Sequence, residues 1–514
     1  MPKTISEVLF RELMGKRGRK IVRLARMLNG YSDPSGALTR PLLGEFLSQA
    51  SQLEELLDMY GAKNNRNWSR FRSLIAAIKL FADVAYELVH IQHQIPSYRL
   101  LPIEGDFQQA TQNAKAFVSG ILCQAAGSIV AEAERLRLAV SGETDPGEHY
   151  VEELPHGHLP MDQAARQIET VAKTVSLLAT SFLNLAAESR LLHVSNPKGD
   201  RPERYSTFIP DPISEKNLRD LEYRFHNLQS LYDTYVSESI TEDYDADLPV
   251  LRGHISVIFH LLKTGTMLAH YFERHVNVPE GASEEGGEPI VDPDQLLEQL
   301  MNYSIHFARD YLAAAQRLCQ SMLRRYTEVG RIEVNVPRYR GFHVRPATMV
   351  SKIVQHYGSQ VQKELEGEAY DASTPLDIFR INEKINAGKR HRLVEEIVTL
   401  RLVPESREMQ SVVGIVRGAV LRLAEQGKLI VYEQPLQLNE ECEFRNESLL
   451  ELVTSEITRL QATGKIDITS DLKVAFVGDK RVLEDIALLA ESGYGEDDFG
   501  NNIPLPDRLR YLRQ

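Results

Sequence analysis

Hydrophobic residues recur at helical spacing over most of the first 328 residues. Between residues 165 and 192, apolar side chains stand three or four positions apart, which marks one face of an amphipathic helix. The members of this face are Ile168, Val171, Val175, Leu178, Phe182 and Leu185. The same spacing predicts six further helices, over residues 41–60, 67–92, 106–139, 215–237, 250–276 and 294–327.

Polar stretches rich in glycine and proline separate these helices, at residues 139–162, 195–213 and 277–293. The last stretch is acidic, a composition typical of mobile segments. No repeat of fixed period accompanies the helices, which argues against a solenoid. Residues 1–328 are therefore predicted to form an all-α helical bundle region, in one bundle or in two that divide near residues 195–213.

The hydrophobic pattern changes at Gly330. Three apolar residues then alternate with polar ones, which is the spacing of a β-strand: Ile332, Val334 and Val336. A helix with its own apolar face follows residue 343, and Gly358 is placed to end it. A strand, a turn and an amphipathic helix are thus predicted in this order.

The next hundred residues continue this mixed pattern. It predicts one or two strands over residues 360–372, a helix that opens at Thr374, a strand over 398–402 and a helix over 406–425. Such an order is typical of an α+β domain with helices on one face of a sheet, an open-faced sandwich. We place this domain at residues 329–434.

Residues 435–514 are predicted to form a small α/β appendage. The pattern before and within it indicates a short strand over 429–432, a helix over 445–463, a strand over 473–477 and a helix over 480–491. An irregular stretch rich in proline and glycine follows. The predicted fold class is therefore multidomain: a helical bundle region, an α+β open-faced sandwich and an α/β appendage.

Charge and cysteine content narrow the class of protein. The chain has 59 Lys and Arg residues against 72 Asp and Glu residues, a net charge of −13, which argues against general nucleic-acid binding. Its three cysteines, Cys123, Cys319 and Cys442, lie far apart and form no CxxC pair. This usage favours a reducing cytoplasm and predicts neither a disulfide framework nor a metal site.

The sequence also predicts no membrane span. No run of about eighteen uncharged apolar residues occurs. The best candidate, residues 73–91, is interrupted by Lys79, Asp83 and Glu87. Charged residues at the N-terminus argue against a secretory signal, so we expect a cytoplasmic protein.

The strongest chemical signal is Gly-Phe-His-Val-Arg-Pro-Ala, residues 341–347. Pro346 fits the first turn of a helix, which places His343 just before the helix start. Unpaired N–H groups and the helix dipole make such a terminus an anion site. Phosphate carried by the His343 imidazole is expected to contact Arg345, Ala347 and Thr348. The alternative is an exposed histidine near a helix cap.

This heptapeptide, in its setting of strand, turn and helix, resembles the active-site signature of the histidine-containing phosphocarrier (HPr) proteins of the bacterial sugar phosphotransferase system. The resemblance covers roughly residues 331–427. It implies that His343 accepts a phosphoryl group on Nδ1 from a phosphoenolpyruvate-dependent kinase and passes it to a partner protein. It implies Arg345 as the phosphate-stabilising residue, and neither a cofactor nor a metal.

A second implication concerns regulation. Many members of the family carry a regulatory serine at the start of the second helix, and the equivalent positions here are Thr374 and the adjacent Ser373. The surrounding sequence departs from that of the family. An N-cap at Thr374 with Asp377 completing a capping box is the alternative interpretation.

Other candidates carry weaker signals. Three histidine pairs, His90 and His93, His156 and His158, His270 and His275, show no metal-ligand spacing and suit structural or solvent-exposed roles. The basic residues between Lys16 and Arg26 could face an acidic membrane surface or partner, or form a solvated helix face.

Three functions remain open from the sequence. The first is a phosphocarrier or phosphorelay regulator, not a turnover enzyme, that meets the phosphotransferase kinase or other HPr-binding proteins. The second is a non-catalytic interaction scaffold with an HPr-like fold. The third is an enzyme in the helical region. The long helical part favours regulation over sugar uptake, and a homo-oligomer is compatible with a helical bundle.

Overall fold

The computed structural model describes twelve stretches of the chain and shows two compact units, Met1–Cys319 and Gln320–Gln514. The described residues are 4–31, 33–138, 150, 171–193, 202–237, 242, 244–276, 290–365, 367–404, 411–433, 435–438 and 448–513. They are mostly helical, with one four-stranded and one two-stranded sheet. Much of the predicted linkers 139–162, 195–213 and 277–293 lies outside the described residues.

The first unit is helical throughout its described part. Its described α-helices are α1 (Glu7–Arg17), α2 (Arg19–Asn29), α3 (Pro34–Ala37), α4 (Arg40–Met59), α5 (Ser69–Gln94), α6 (Phe107–Arg135), α7 (Val171–Glu188), α8 (Glu215–Tyr235), α9 (Asp247–Tyr271), α10 (Pro293–Glu298) and α11 (His306–Arg325), the last of which continues past the unit boundary at Cys319. The described parts of all seven ranges predicted from apolar spacing in this region are helical. Residues 165–170 lie outside the described residues, and the range 294–327 contains a π-helical stretch, Gln299–Ile305, between α10 and α11. Helices α1 and α2 were not predicted as separate elements, and Gly18 ends one and begins the other.

Helix α9 is the central helix of this unit. It packs along α8 and also against α5, which in turn contacts α4 and α6. Small residues let it approach its neighbours closely: a Cβ on Gly253 would overlap the backbone carbonyl of Tyr98. A helix covered on most sides needs apolar residues around its whole circumference, which is the composition of α9.

One described helix, α6, combines the length and apolar composition that a membrane crossing requires. Half of its most apolar 18-residue window is buried inside the protein, among residues such as Val118, Leu122 and Ile129. A core helix of this kind meets the same criteria, so the described residues contain no clear membrane span. The candidate from the sequence, residues 73–91, lies in α5 instead.

The second unit combines helices and strands. In chain order they are β1 (Val329–Asn335), α12 (Val344–Tyr357), β2 (Val361–Leu365), β3 (Glu368–Asp371), α13 (Pro375–Thr399), α14 (Val412–Glu425), β4 (Leu429–Val431), α15 (Leu449–Ala462), β5 (Ile466–Ile468), β6 (Lys473–Asp479) and α16 (Lys480–Glu491). The predicted helix end at Gly358 is confirmed, with this glycine left-handed at φ 61°.

The four-stranded sheet has the order β1-β6-β2-β3 and is antiparallel throughout. Its central strand β6 pairs with β1 on one side, Val329 opposite Asp479, and with β2 on the other, Val361 opposite Gly478. Helix α16 packs on β1 and β6, and α12 packs beside α16. The strand that completes the sheet therefore comes from the predicted appendage.

The strand predicted over residues 398–402 is wrong. Helix α13 continues to Thr399, and Arg401 then adopts a left-handed conformation at φ 49°. The Leu402 N–H donates to the Ile397 carbonyl at 3.1 Å, which closes the helix end and returns Leu402 to the core. The alternating apolar residues here therefore belong to the end of a helix and not to a strand.

Residues 375–472 lie between β3 and β6 in sequence, and buried residues between Leu393 and Ile468 form a hydrophobic core of their own. The end of α13, together with α14, α15 and the β4–β5 pair, encloses this core, which contains Leu393, Val416, Leu423, Leu452 and Ile466. The predicted boundary at residue 434 passes through this cluster, so the structure does not separate residues 435–514 as an independent appendage.

Candidate functional site

The turn before α12 is held in an unusual backbone conformation. Arg340 and Gly341 both have positive φ, 52° and 61°. The buried Asn382 of α13 fixes this turn, because its Oδ1 accepts from the Phe342 N–H at 2.8 Å and its Nδ2 donates to the Arg340 carbonyl at 3.1 Å. A Cβ on Gly341 would overlap the Asn382 side chain, so glycine is required there.

His343 is the N-cap residue of α12. Its side chain is 23% exposed, and the Tyr339 ring meets it edge-on with centroids 5.4 Å apart. Val344 and Arg345 begin the helix, and their N–H groups have no acceptor among the residues that the structure describes. These two N–H groups are the ones that a helix leaves for an anion.

The other predicted phosphate contacts lie deeper in the helix. The Ala347 N–H already donates to the His343 carbonyl at 3.1 Å, and Ala347 is buried. The Thr348 hydroxyl donates to the Val344 carbonyl at 2.7 Å. The backbone N–H groups left without an acceptor among the described residues are therefore those of Val344 and Arg345 rather than the predicted Ala347 and Thr348, because the helix begins two residues before Pro346.

A buried carboxylate, Glu496, contacts both predicted catalytic side chains. Its two oxygens lie 2.8 and 3.0 Å from His343 Nε2, and Oε2 lies 3.5 Å from the Arg345 guanidinium. The Glu496 side chain is only 2% exposed. The guanidinium also donates to the Gly500 carbonyl at 3.3 Å. Nδ1 of His343 has no hydrogen bond within the described part of the chain.

Glu496 lies in the tail loop, which we define as residues 493–503. At its start, the buried Tyr494 donates from its hydroxyl to the Asn335 carbonyl at 2.8 Å. At its end, the Ile503 N–H donates to the Gly495 carbonyl at 3.1 Å, which closes the loop on itself. The loop is thus attached to the first strand of the sheet rather than freely extended.

Asp497 organises the interior of the tail loop. Its carboxylate accepts from the N–H groups of Phe499 and Asn501, both at 2.9 Å, and from the Asn501 amide. These hydrogen bonds hold the pKa of Asp497 below its usual value, the Asn501 side chain contributing most. The turn they shape brings Gly500 against the Tyr339 ring with φ 82°.

Aromatic residues connect the site to the insertion of residues 375–472. Tyr432, just after β4, meets Tyr339 edge-on with centroids 5.0 Å apart, and the ring of Phe499 in the tail loop meets Tyr432 edge-on with centroids 6.4 Å apart. Arg340 donates to the Gly464 carbonyl at 2.6 Å. The surroundings of His343 therefore combine the turn before α12, the insertion and the tail loop.

A buried lysine lies beneath the site. Lys363 of β2 is fully buried, and its Nζ lies 3.1 Å from the centroid of the Phe342 ring. Nζ has no hydrogen-bond partner among the described residues. Burial lowers the pKa of Lys363 well below its usual value, because the charged form loses its solvation there.

The predicted regulatory pair lies at the start of α13. Thr374 is its N-cap residue, but its side chain makes no capping hydrogen bond, so the predicted capping box with Asp377 is absent. The Ser373 hydroxyl donates to Asp371 at 2.8 Å, and the Ser373 N–H does so at the same distance. The Ser373 carbonyl accepts from Ser351 and Gln355 of α12.

The histidines of the first unit have other partners. His90 lies 3.2 Å from the Tyr98 hydroxyl and stacks near His260, which in turn contacts Glu87 at 2.6 Å. Burial lowers the pKa of His90 and of His275 to about 4. Within the described ranges, no group of three or more His, Cys, Asp or Glu side chains is placed to hold a metal. His156 and His158 lie outside them.

The basic residues of α1 and α2 have in part acidic neighbours, for example Lys20, which contacts Glu45 at 2.7 Å. This contact favours a salt-bridged helix face for that position.

Sequence reasoning identified His343 and Arg345 but missed Glu496, Asn382 and Gly500. Asn382 carries one local signal, a polar residue on the buried face of α13 between Ile381 and Ile385. Glu496 is 153 residues from His343 in sequence and has no spacing that would mark it. Comparison with protein-family models, with curated proteins and with solved structures gave no significant match.

Proposed function

We propose that this protein is a phosphocarrier or phosphorelay regulator that accepts a phosphoryl group on His343. The observation that carries the proposal is the position of His343: it is the N-cap residue of α12, beside two N–H groups without acceptors among the described residues, and Arg345 lies in the first turn of the same helix. A phosphoryl group on the ring would find these two N–H groups and the Arg345 guanidinium as donors.

The order of the strands supports an HPr-like open-faced sandwich. Its last strand and helix come from other residues than the sequence predicted. In this proposal the domain comprises residues 329–371 and 473–491, so that β6 and α16 supply the final strand and helix. The resemblance read over 331–427 then covers only the first part of the domain. Residues 375–472 are an insertion, which a minimal carrier would lack.

The proposed reaction is a transfer between two histidines. The lone pair of His343 Nδ1 attacks the phosphorus of a phosphohistidine on a phosphoenolpyruvate-dependent kinase. A new N–P bond forms at His343 as the donor N–P bond breaks, and the bonding pair returns to the donor imidazole. Arg345 and the N–H groups of Val344 and Arg345 stabilise the transferred charge. The same step in reverse passes the group to an acceptor protein.

The setting of the domain favours regulation over sugar uptake. The long helical unit and the insertion offer surfaces on which a phosphorylation state could be read, and the insertion reaches the site through Tyr432. The expected partners are the phosphotransferase-system kinase and other HPr-binding proteins. In this role the chain is a carrier of phosphate and not a turnover enzyme.

The direct test is phosphoryl transfer with purified components. Wild type incubated with radiolabelled phosphoenolpyruvate and the phosphotransferase kinase should gain an acid-labile label, and H343A should gain none. H391Q, which changes an exposed histidine of α13, is the matched control and should be labelled like wild type. Unlabelled wild type, or equal label on H343A, would overturn the proposal.

A non-catalytic scaffold is the second candidate, and one observation favours it. The anion position beside His343 and Arg345 already contains the carboxylate of Glu496. In a scaffold this contact is permanent, and the fold serves only as a binding surface. Calorimetry that shows the kinase binding wild type and H343A equally, with no label on either, would support this function.

A further inference from the structure

We infer that Glu496 is a positioning residue that decides which nitrogen of His343 takes the phosphoryl group. The inference rests on the proposed function and adds to it a residue, a proton position and a product isomer. Nothing in the heptapeptide around His343 indicates this role, because Glu496 comes from the tail loop.

The geometry fixes the tautomer of the ring. Both Glu496 oxygens lie within 3.0 Å of His343 Nε2. An ionised carboxylate can only accept hydrogen bonds, so Nε2 must carry the proton. The neutral imidazole then has its lone pair on Nδ1, the nitrogen without a hydrogen bond among the described residues. A nucleophile oriented by a second group is a recurring catalytic arrangement.

Neighbouring groups stabilise the negative charge of Glu496 and fix its position. Its side chain is almost fully buried, where an isolated carboxylate would be costly. The Arg345 guanidinium, 3.5 Å from Oε2, supplies the compensating positive charge. Tyr494 and Gly495, which precede it, are themselves buried, so the backbone that carries this carboxylate is fixed. Glu496 therefore meets the ring in one orientation.

The transfer step then needs no proton movement at His343. The Nδ1 lone pair forms the bond to phosphorus, the donor nitrogen keeps the pair of the broken N–P bond, and the Nε2 proton stays hydrogen-bonded to Glu496. The product is the Nδ1 phosphohistidine. Without Glu496, Nε2 also presents a lone pair in a fraction of molecules, and the second isomer becomes accessible.

The experiment reads the tautomer and the product isomer separately. Full-length protein with ¹⁵N-labelled histidine is examined by long-range ¹H–¹⁵N NMR, for wild type, E496Q and E496A. Wild type should show His343 protonated on Nε2. Glutamine offers both a donor and an acceptor to Nε2, so E496Q should show a mixture. In E496A the ratio of the Nε2-protonated to the Nδ1-protonated tautomer of His343 should fall by about tenfold, which is the factor that a charge-assisted hydrogen bond contributes.

The second measurement uses potassium phosphoramidate, a small N–P donor that needs no kinase. Wild type should yield the Nδ1 isomer by ³¹P and ¹⁵N NMR, and E496Q and E496A should yield both isomers. D498N is the matched control, because Asp498 is a tail-loop carboxylate that pairs with Arg338 at 3.2 Å and not with the ring. It should behave like wild type.

The possible outcomes separate this inference from the proposed function. If the kinase fails to label wild type but the tautomer shifts in E496A and E496Q, the proposed function is refuted and the role of Glu496 in setting the tautomer is supported. If wild type is labelled and the tautomer and the product isomer are unchanged in both variants, the role of Glu496 is refuted and the proposed function is supported. Retained dispersion of the amide spectrum identifies variants that fold, and E496Q preserves the volume of the side chain.

Discussion

Asn382 accepts a hydrogen bond from the Phe342 N–H at 2.8 Å, across 40 residues of sequence. Through this contact, helix α13 sets the backbone that presents the His343 ring. The oxygen and the nitrogen of this buried amide both bond to backbone groups, so another side chain cannot easily take the place of Asn382.

We therefore expect N382L to leave the Phe342 N–H and the Arg340 carbonyl without partners. Each unsatisfied group costs about 1–3 kcal/mol, so the unfolding free energy should fall by at least that amount. Urea denaturation followed by circular dichroism measures it. The control is N386L on the same helix, which should cost less because, among the described residues, Asn386 has one hydrogen bond, from the Gln461 amide at 3.4 Å. Equal losses would contradict the assigned role.

Gly500 holds the tail loop against Tyr339, and G500A should release it. Its φ is 82°, and an added Cβ would lie 2.6 Å from the Tyr339 ring. The left-handed conformation alone costs roughly 1–2 kcal/mol, and the steric overlap adds to it. His343 should then react faster with diethyl pyrocarbonate, since Glu496 no longer covers it.

The matched control for this prediction is G427A. Gly427 has φ 68°, but its added Cβ would meet no atom within 4 Å. This variant should show the conformational cost without a change in His343 reactivity. An unchanged modification rate in G500A would mean that the tail loop does not depend on this contact.

Because of Lys363, the free energy of unfolding should rise with pH. Burial lowers its pKa in the folded state, so between that lowered pKa and the usual value of about 10.4 the unfolded chain binds the extra proton. Unfolding free energy therefore increases as pH rises through this window. K363M should abolish that increase and stabilise the protein by about 1–3 kcal/mol at neutral pH. Denaturation between pH 6 and pH 10 measures it, with K473M, an exposed position on β6, as control.

His356 should make the protein sensitive to acid. Burial lowers its pKa to about 4, and its ring stacks on Tyr511 with centroids 4.0 Å apart. Above the usual histidine pKa both states are neutral. As pH falls from about 6.5 to about 4, the unfolded chain takes a proton that the folded ring does not, and stability declines.

The substitution H356F should remove the share of this decline that His356 contributes, on the order of 1–3 kcal/mol across the window. The shares of His90 and His275, whose pKa values burial also lowers to about 4, should remain. Thermal unfolding at pH 7 and pH 4.5 tests it. H391Q, at an exposed position of α13, should retain the acid sensitivity of wild type. A wild-type-like loss in H356F would assign the sensitivity to other groups.

Local patterns predicted the elements of this chain well, and they failed where pairing is long-range. Apolar periodicity identified α12, β6 and α16 because side-chain spacing is set within each element. It could not show that β6 pairs with β1, because backbone pairing over 150 residues leaves no spacing signal. The false strand at 398–402 arose because a helix end that returns Leu402 to the core imitates alternation.

The same limit applies to the site. Gly341, His343 and Arg345 are neighbours in sequence, so one short motif reveals them. Glu496 comes to the His343 ring, and Asn382 to the backbone of the turn before it, only through the fold, and each is a single polar residue among many. Candidate residues that stand in one contiguous segment can be recognised in the sequence, whereas their contacts with a distant loop require the structure.

The position of β6 at the centre of its sheet has a consequence for biosynthesis. On a translating ribosome, β1, α12, β2 and β3 emerge well before residues 473–479, and β1 and β2 have no hydrogen bonds to each other. The sheet can assemble only after the whole insertion has been made, and Glu496 arrives later still. A nascent or prematurely terminated chain that stops before residue 496 therefore presents His343 without its carboxylate partner.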